Sequence, residues 1–194
     1  MSYEHDEAEL ELATVALLEE LGWSTADATH ETFPGGMLGR EHPGEVVLRD
    51  RLDQAVARLN PDVPGEALAD AVEQLVRLRP KGAEVRNNRD VWNLLRDGAK
   101  VEVHSSEGHK RTVTVRFVDW DDPSQNDWLA VRQFKVTGDL YKTRADIVGF
   151  VNGVPLLFME LKAPQVDHKH AYDDNLVHYR DSIPQLFWFN GVTV

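Results

Sequence analysis

Two apolar runs joined by Asn152-Gly153 limit what this chain can fold into more than any other feature. From Arg144 to Lys162 it reads Arg-Ala-Asp-Ile-Val-Gly-Phe-Val-Asn-Gly-Val-Pro-Leu-Leu-Phe-Met-Glu-Leu-Lys. Asn-Gly between β-branched and aromatic residues is a strong hairpin signal, because both residues accept the left-handed backbone of a tight turn. The runs are apolar at nearly every position rather than at alternate ones, so both faces of these strands need cover. Ionised groups inside such strands are costly unless something pairs them. Asp146, Glu160 and Lys162 stand at the ends of the runs, where a cluster can open to water.

Glu160 and Lys162 are two apart on one strand and share a face. Whether Asp146 joins them depends on the turn. A two-residue turn pairs Val151 with Val154, sets Asp146 against Met159 and turns it to the opposite face. A three-residue turn at Val151-Asn152-Gly153, with Gly153 left-handed in a bulge, pairs Phe150 with Val154 and sets Asp146 against Phe158. Asp146 and Glu160 are then diagonal neighbours, roughly 7–8 Å apart, and both can reach one ion. The bulged turn is the expectation. Two carboxylates and an ammonium so placed suit a divalent cation and an activated water. On the plainer reading, Glu160 and Lys162 form a solvated pair worth ~0–1 kcal/mol.

The 194 residues, 42% hydrophobic with 5 Trp and 7 Phe, suffice for one domain with a real core. No apolar run is long enough to span a bilayer, and the acidic N-terminus is no signal peptide. With no cysteine there is neither a disulfide nor a thiolate metal site. A cytoplasmic location is expected. The net charge of −12 argues against a stand-alone nucleic-acid binder relying on its overall field. Two local basic groups remain: Arg77, Arg79, Lys81, Arg86 and Arg89, and then Arg132, Lys135, Lys142 and Arg144 leading into Asp146.

Helical spacing predicts helices over 7–21, 45–59, 64–78, 87–96 and 168–180. In the first, Leu10, Ala13, Leu17, Leu18 and Leu21 form the apolar stripe, with Glu11 at its border and able to point inward. Residues 24–44, rich in Gly, Pro and Thr, read as irregular. Alternation predicts strands at 101–104, 111–118 and 128–136, followed by the hairpin and a last strand at 186–189. The order implies an α/β or α+β layout with a mixed sheet, the last helix crossing over to a parallel strand. One domain is expected over 1–194, helical to roughly residue 98 and sheet-centred from roughly residue 99 onward. Because the chain stops inside strand-like material, it reads as a piece of a longer protein. His168, His170 and His178 could suggest zinc, but solvated helix histidines are the commoner case.

Leu59-Asn-Pro-Asp62, Asn87-Asn-Arg89 before Leu94-Leu-Arg-Asp-Gly98, Phe117-Val-Asp119 with Asn126-Asp127, and Gln133-Phe134 come first in an ordered series. It continues through the Asp146–Val151 strand, Asn152-Gly-Val-Pro-Leu156, Glu160-Leu-Lys162 and Ile183-Pro-Gln-Leu-Phe187. This series resembles the N-terminal nuclease domain of the type I restriction enzyme R subunit, a PD-(D/E)XK nuclease. The resemblance runs over nearly the whole chain. It implies a restriction-endonuclease-like mixed central sheet flanked by helices and Mg²⁺-dependent hydrolysis of DNA phosphodiesters. Asp146 and Glu160 match the metal-binding carboxylates, with the Leu161 carbonyl beside them, and Lys162 matches the catalytic lysine. Glu11 matches an acid on the first helix that completes the cluster. The family's Gln-x-x-x-Tyr motif is matched at Tyr179, but its glutamine is replaced here by Asn175, one methylene shorter. Gln133 and Arg144 are implied as supporting DNA contacts. The implied partners are double-stranded DNA and the methyltransferase and specificity subunits, with no membrane. ATP would serve only a motor outside this chain, which contains no Gly-x-x-x-x-Gly-Lys-[Ser/Thr] loop. The alternative is a nuclease-fold module without catalysis that binds DNA or partner subunits, a reading Asn175 favours.

Overall fold

The hairpin lies inside a five-stranded mixed sheet. The computed structural model describes residues 3–80, 82–104, 109–138, 142–162 and 177–194, leaving aside the side chains of residues 3–6, Val177 and His178. The elements in chain order are α1 (Tyr3–Glu20), β1 (Ser24–Asp27), α2 (Arg49–Leu59), α3 (Gly65–Val76), α4 (Glu84–Asp97), β2 (Ala99–His104) and β3 (Lys110–Val115). A 3-10 turn (Pro123–Gln125) precedes β4 (Trp128–Thr137), β5 (Lys142–Val151), β6 (Val154–Met159), α5 (Val177–Ser182), α6 (Pro184–Phe187) and β7 (Val192–Thr193). The large sheet runs β1-β4-β5-β6-β7, and β2 and β3 form a separate ribbon. β4, β5 and β6 are antiparallel, while β1 and β7 add parallel strands at the two edges. This is the mixed sheet flanked by helices that the resemblance implies.

Both faces of the sheet are covered, as the doubly apolar hairpin requires. On one face Phe134, Val148, Phe150 and Phe158 join Leu48, Leu52, Leu75, Val91 and the Ile183–Phe189 segment in the main core. On the other, Ala130 and Ile147 pack under Leu18 of α1, with Trp23, Met159 and Leu161 around them.

The turn differs from expectation, yet the parity survives. Val151 pairs with Val154, so the loop is the tight two-residue one, with Asn152 at φ 52° and Gly153 at φ 79°. A bulge follows: Phe150 pairs with Pro155 but Gly149 pairs with Leu157, which leaves Leu156 as the extra residue. A proline cannot donate to the ladder and is tolerated where pairing is interrupted. Beyond the bulge Ile147 pairs with Met159, and continuing that register sets Asp146 opposite Glu160.

Several boundaries are corrected. Ser24–Asp27 is a strand, not irregular loop; four mostly polar residues on a sheet edge carry no alternating apolar signal. α2 begins at Arg49 rather than 45, because the chain before it is tied to the hairpin, with the Leu48 N–H donating to the Gly153 carbonyl at 2.9 Å. α3 ends at Val76, α4 starts already at Glu84, and β3 ends at Val115, where the Arg116 N–H turns to Asn60 Oδ1. The segment 186–189 is no strand. Proline at the first helical position opens α6 instead, and the final strand comes later, at Val192–Thr193, parallel to β6. Of the expected helix 168–180, only the part from Val177 lies within the described residues.

α1 is turned relative to its leucine stripe. Leu17 and Leu21 are 55% and 68% exposed, whereas Glu11 and Leu18 are buried against the sheet. The helix is apolar on two faces, so spacing alone does not choose between them. Leu17→Ser is therefore expected to change stability by less than about 0.5 kcal/mol, and Leu18→Ser to cost at least about 2 kcal/mol. Urea unfolding of the two variants checks this, and equal losses would mean that the helix sits the other way round.

Candidate active site

Where β5 and β6 end, three charged side chains meet. β6 gives way to an extended backbone held by the last strand: the Glu160 N–H donates to the Val194 carbonyl at 3.0 Å, and the Val194 N–H donates to the Phe158 carbonyl at 2.9 Å. Across the hairpin, Asp146 Oδ2 accepts from the Leu161 N–H at 2.7 Å. Lys162 Nζ lies 3.1 Å from Glu160 Oε1, with the two side chains 22% and 11% exposed. The acids and the amine are therefore neither on opposite faces nor sealed from solvent.

Burial first, and then the charge of Glu160, push the Asp146 carboxyl up to about 7; the Leu161 N–H and Lys162 pull the other way, and Glu11 adds to the rise. Burial disfavours the Lys162 ammonium, but the hydrogen bond and charge of Glu160, with Glu7 and Asp146, outweigh it and raise its pKa. Tyr179 reaches the same place from α5. Its hydroxyl donates to the Arg144 carbonyl at 3.2 Å, and its ring packs edge-on against Phe158. Burial, the charge of Glu160, a hydrogen bond to Glu160 and the charge of Asp146 hold the phenol protonated far above its usual range. Two negative groups crowded in a half-buried place, with an all-oxygen donor set, form a site that a hard cation would relieve.

Glu11 comes to the site from α1 but is turned to other partners. Its carboxylate accepts from Gln133 Nε2 at 2.9 Å on each oxygen and from Arg132 NH1 at 3.0 Å. The expected convergence of Glu11 with Asp146 and Glu160 is accordingly not assembled: among the described residues no three acidic or histidine side chains gather closely enough to hold an ion. Gln133, expected at the DNA, instead donates inward to Glu11, while the Arg144 side chain is exposed. Asn175, His168 and His170 lie outside the described residues, as does the side chain of His178.

The basic groups are thinner than the sequence suggests. Arg79 is buried, donates to the carbonyls of Leu75 and Arg77, and stacks over Phe189, so it ties down the end of α3. Arg132 is bound to Glu11 and Asp27. Lys142 and Arg144 remain exposed on β5, directly before Asp146.

Sequence reasoning missed a pleat slip. In β4, Leu129 and Val131 enter the main core, and then Phe134 and Val136 do, so the inward parity changes between Arg132 and Gln133. Gln133 has φ 57°, a left-handed residue in mid-strand. β5 slips in step: Val148 and Phe150 face the main core, and so does Ala145, three residues before Val148. The β4–β5 pairing is interrupted there: Arg132 pairs with Ile147 and Phe134 with Ala145, which leaves Gln133 and Asp146 between them unpaired in the ladder, at the point where both strands change phase. The only signal for this in the sequence was the break in apolar alternation at Val131-Arg-Gln-Phe134.

Among the described residues no helix is long and apolar enough to cross a membrane. The type I restriction enzyme HindI endonuclease subunit of Haemophilus influenzae is 33% identical over 193 residues, which is 97% of this chain. The putative type I restriction enzyme MjaIXP endonuclease subunit of Methanocaldococcus jannaschii is 26% identical over 191 residues, 95% of this chain. The chain spans only 18% of the length of each of these relatives. The family model described as type I restriction enzyme R protein N terminus matches residues 4–194. With that match over almost its entire length, the chain belongs to the family of type I restriction enzyme R protein N termini.

Proposed function

We propose that this chain is the nuclease domain of a type I restriction enzyme and hydrolyses DNA phosphodiester bonds with a divalent cation. The observation that carries the reading is geometric: at the end of the β5–β6 hairpin Asp146 accepts from the Leu161 N–H, between Glu160 and Lys162, and Lys162 lies against Glu160 at a place solvent can enter. Family membership supports the same reading, since the relatives are named endonuclease subunits.

Asp146, Glu160 and the Leu161 carbonyl are the groups that would hold Mg²⁺. When bound, the ion supplies Lewis-acid polarisation of a phosphate oxygen and a lowered pKa for a bound water. Lys162, kept cationic by Glu160, is placed to orient the attacking water and to offset negative charge gathering on the phosphate in the transition state. Tyr179 stays protonated and holds the Arg144 backbone and Glu160 together at the rim. Lys142 and Arg144 supply cationic side chains where a DNA backbone would approach; such contacts position a duplex without reading its sequence. Double-stranded DNA as substrate, and methyltransferase and specificity subunits as partners, belong to this proposal. So do an ATP-driven motor and sequence recognition located elsewhere in the assembly.

Calorimetric titration of the chain with Mn²⁺ or Mg²⁺ tests the reading. Binding is expected for the native chain and its loss for Asp146→Asn, and saturating ion should raise the melting temperature of the native chain only. A fold that merely docks DNA would bind neither ion, and that result would overturn the proposal.

A further inference from the structure

One residue combines an unfavourable backbone with an inward-facing side chain. Gln133 is left-handed at φ 57° in the middle of β4, a conformation that non-glycine residues adopt at a cost of about 1–2 kcal/mol each. Neighbouring residues in a regular strand point to opposite faces. Here Arg132 and Gln133 are neighbours and yet both bind one carboxylate, that of Glu11. The left-handed turn of the backbone is what brings both to the α1 face. A strand that merely needed to hold α1 could do so with Arg132 alone, without the slip. The slip falls between the pairs Arg132–Ile147 and Phe134–Ala145, which bracket Asp146 on β5, so Gln133 ties Glu11 to β4 at the level of Asp146.

Building on the cation reading above, we propose that Gln133, with Arg132, is a positioning residue that fixes the Glu11 carboxylate at the border of the Asp146–Glu160 pair. From there Glu11 acts on the cation site from outside the first ring of ligands. Three donated hydrogen bonds occupy most of the acceptor capacity of Glu11, which favours contact through water over direct ligation. Glu11 is 6% exposed and its negative charge already acts on Asp146, so its placement bears on how strongly the acid pair attracts a cation.

Gln133→Gly separates this role from a structural one. Glycine takes φ 57° without strain, which offsets part of the loss of the two hydrogen bonds to Glu11, so the melting temperature should fall only modestly. Mn²⁺ affinity, read by calorimetry on the whole chain, should fall by about tenfold or more, as is usual when outer partners of a metal site are removed. Glu11→Gln, which keeps the side-chain shape and should fold even where the glycine variant does not, should weaken binding similarly. If Gln133 acts through Glu11, the double variant binds no more weakly than Glu11→Gln alone. Native affinity in Gln133→Gly or in Glu11→Gln, or losses that multiply in the double variant, would overturn the inference. Asp146→Asn serves as the control. If it too binds like the native chain, the cation site itself fails; if only it loses binding, the site stands and the role of Gln133 falls.

Discussion

DNA cleavage by the assembled enzyme is expected to fall by about 10³-fold or more in each of Asp146→Ala, Glu160→Ala and Lys162→Ala, with the domain still folded. The three should divide on a second measurement. Asp146→Ala and Glu160→Ala remove carboxylates that would hold the ion, so Mn²⁺ binding should vanish with cleavage. Lys162→Ala removes the ammonium that shares Glu160 Oε1 at 3.1 Å, which leaves both acids in place. Mn²⁺ binding should then persist or tighten while cleavage is lost. Such a split assigns Lys162 to the chemistry rather than to holding the ion. Burial and the charge of Glu160 disfavour the ionised Asp146 in the native chain, so stability without metal should not decrease in Asp146→Ala, whereas Glu160→Ala also strips Lys162 of its partner and should cost some stability. Undiminished cleavage in all three variants would end the nuclease reading.

The largest expected loss of stability lies away from the charges, at the turn. Asn152 is fully buried; its Nδ2 donates to the Phe117 carbonyl and to Asn126 Oδ1 at 2.8 Å each, and its Oδ1 accepts the Asp127 N–H at 2.7 Å. Alanine would strand these partners in an apolar surrounding, at about 1–3 kcal/mol for each buried group left unsatisfied. It would also have to sit at φ 52°, which adds about 1 kcal/mol. A total of about 4 kcal/mol is expected for Asn152→Ala, which in a domain of this size lowers the melting temperature by about 10 °C. Gly153→Ala should be comparably harmful, because a Cβ there would lie 2.5 Å from the Leu48 carbonyl oxygen and 2.9 Å from the Leu52 nitrogen. Thermal unfolding measures both. A loss below about 1 kcal/mol for Asn152→Ala would mean that the Asn152 side chain does not hold the turn to the Phe117 and Asn126–Asp127 segments.

Much of the hairpin was readable from residue order because its signals are local. Asn-Gly marks the turn, and doubly apolar runs demand cover on both faces. The location of the bulge was not readable. The chain needed one extra residue on one strand to bring Asp146 and Glu160 together, and parity counting could not say whether it stood in the loop or at Leu156. The pleat slip at Gln133 escaped for a related reason. Strand patterns assume constant alternation, and a single left-handed residue breaks it without changing composition. On α1, helical spacing recorded the leucine stripe but not which of two apolar faces meets the sheet; that choice is made by Arg132 and Gln133, more than a hundred residues away, binding Glu11. β1 was lost because a short edge strand borrows its stability from β4. The roles of Arg79 and Arg132 were hidden because a positive charge looks the same in sequence whether it meets a phosphate or a buried carbonyl.

A nuclease role for this domain requires a cation held at the end of the β5–β6 hairpin, and anomalous diffraction from crystals grown with Mn²⁺ tests that most directly. An anomalous peak within coordination distance of the carboxylates of Asp146 and Glu160, absent from Asp146→Asn crystals, is the predicted result. No peak there at saturating Mn²⁺, with the two acids still side by side, would contradict the account.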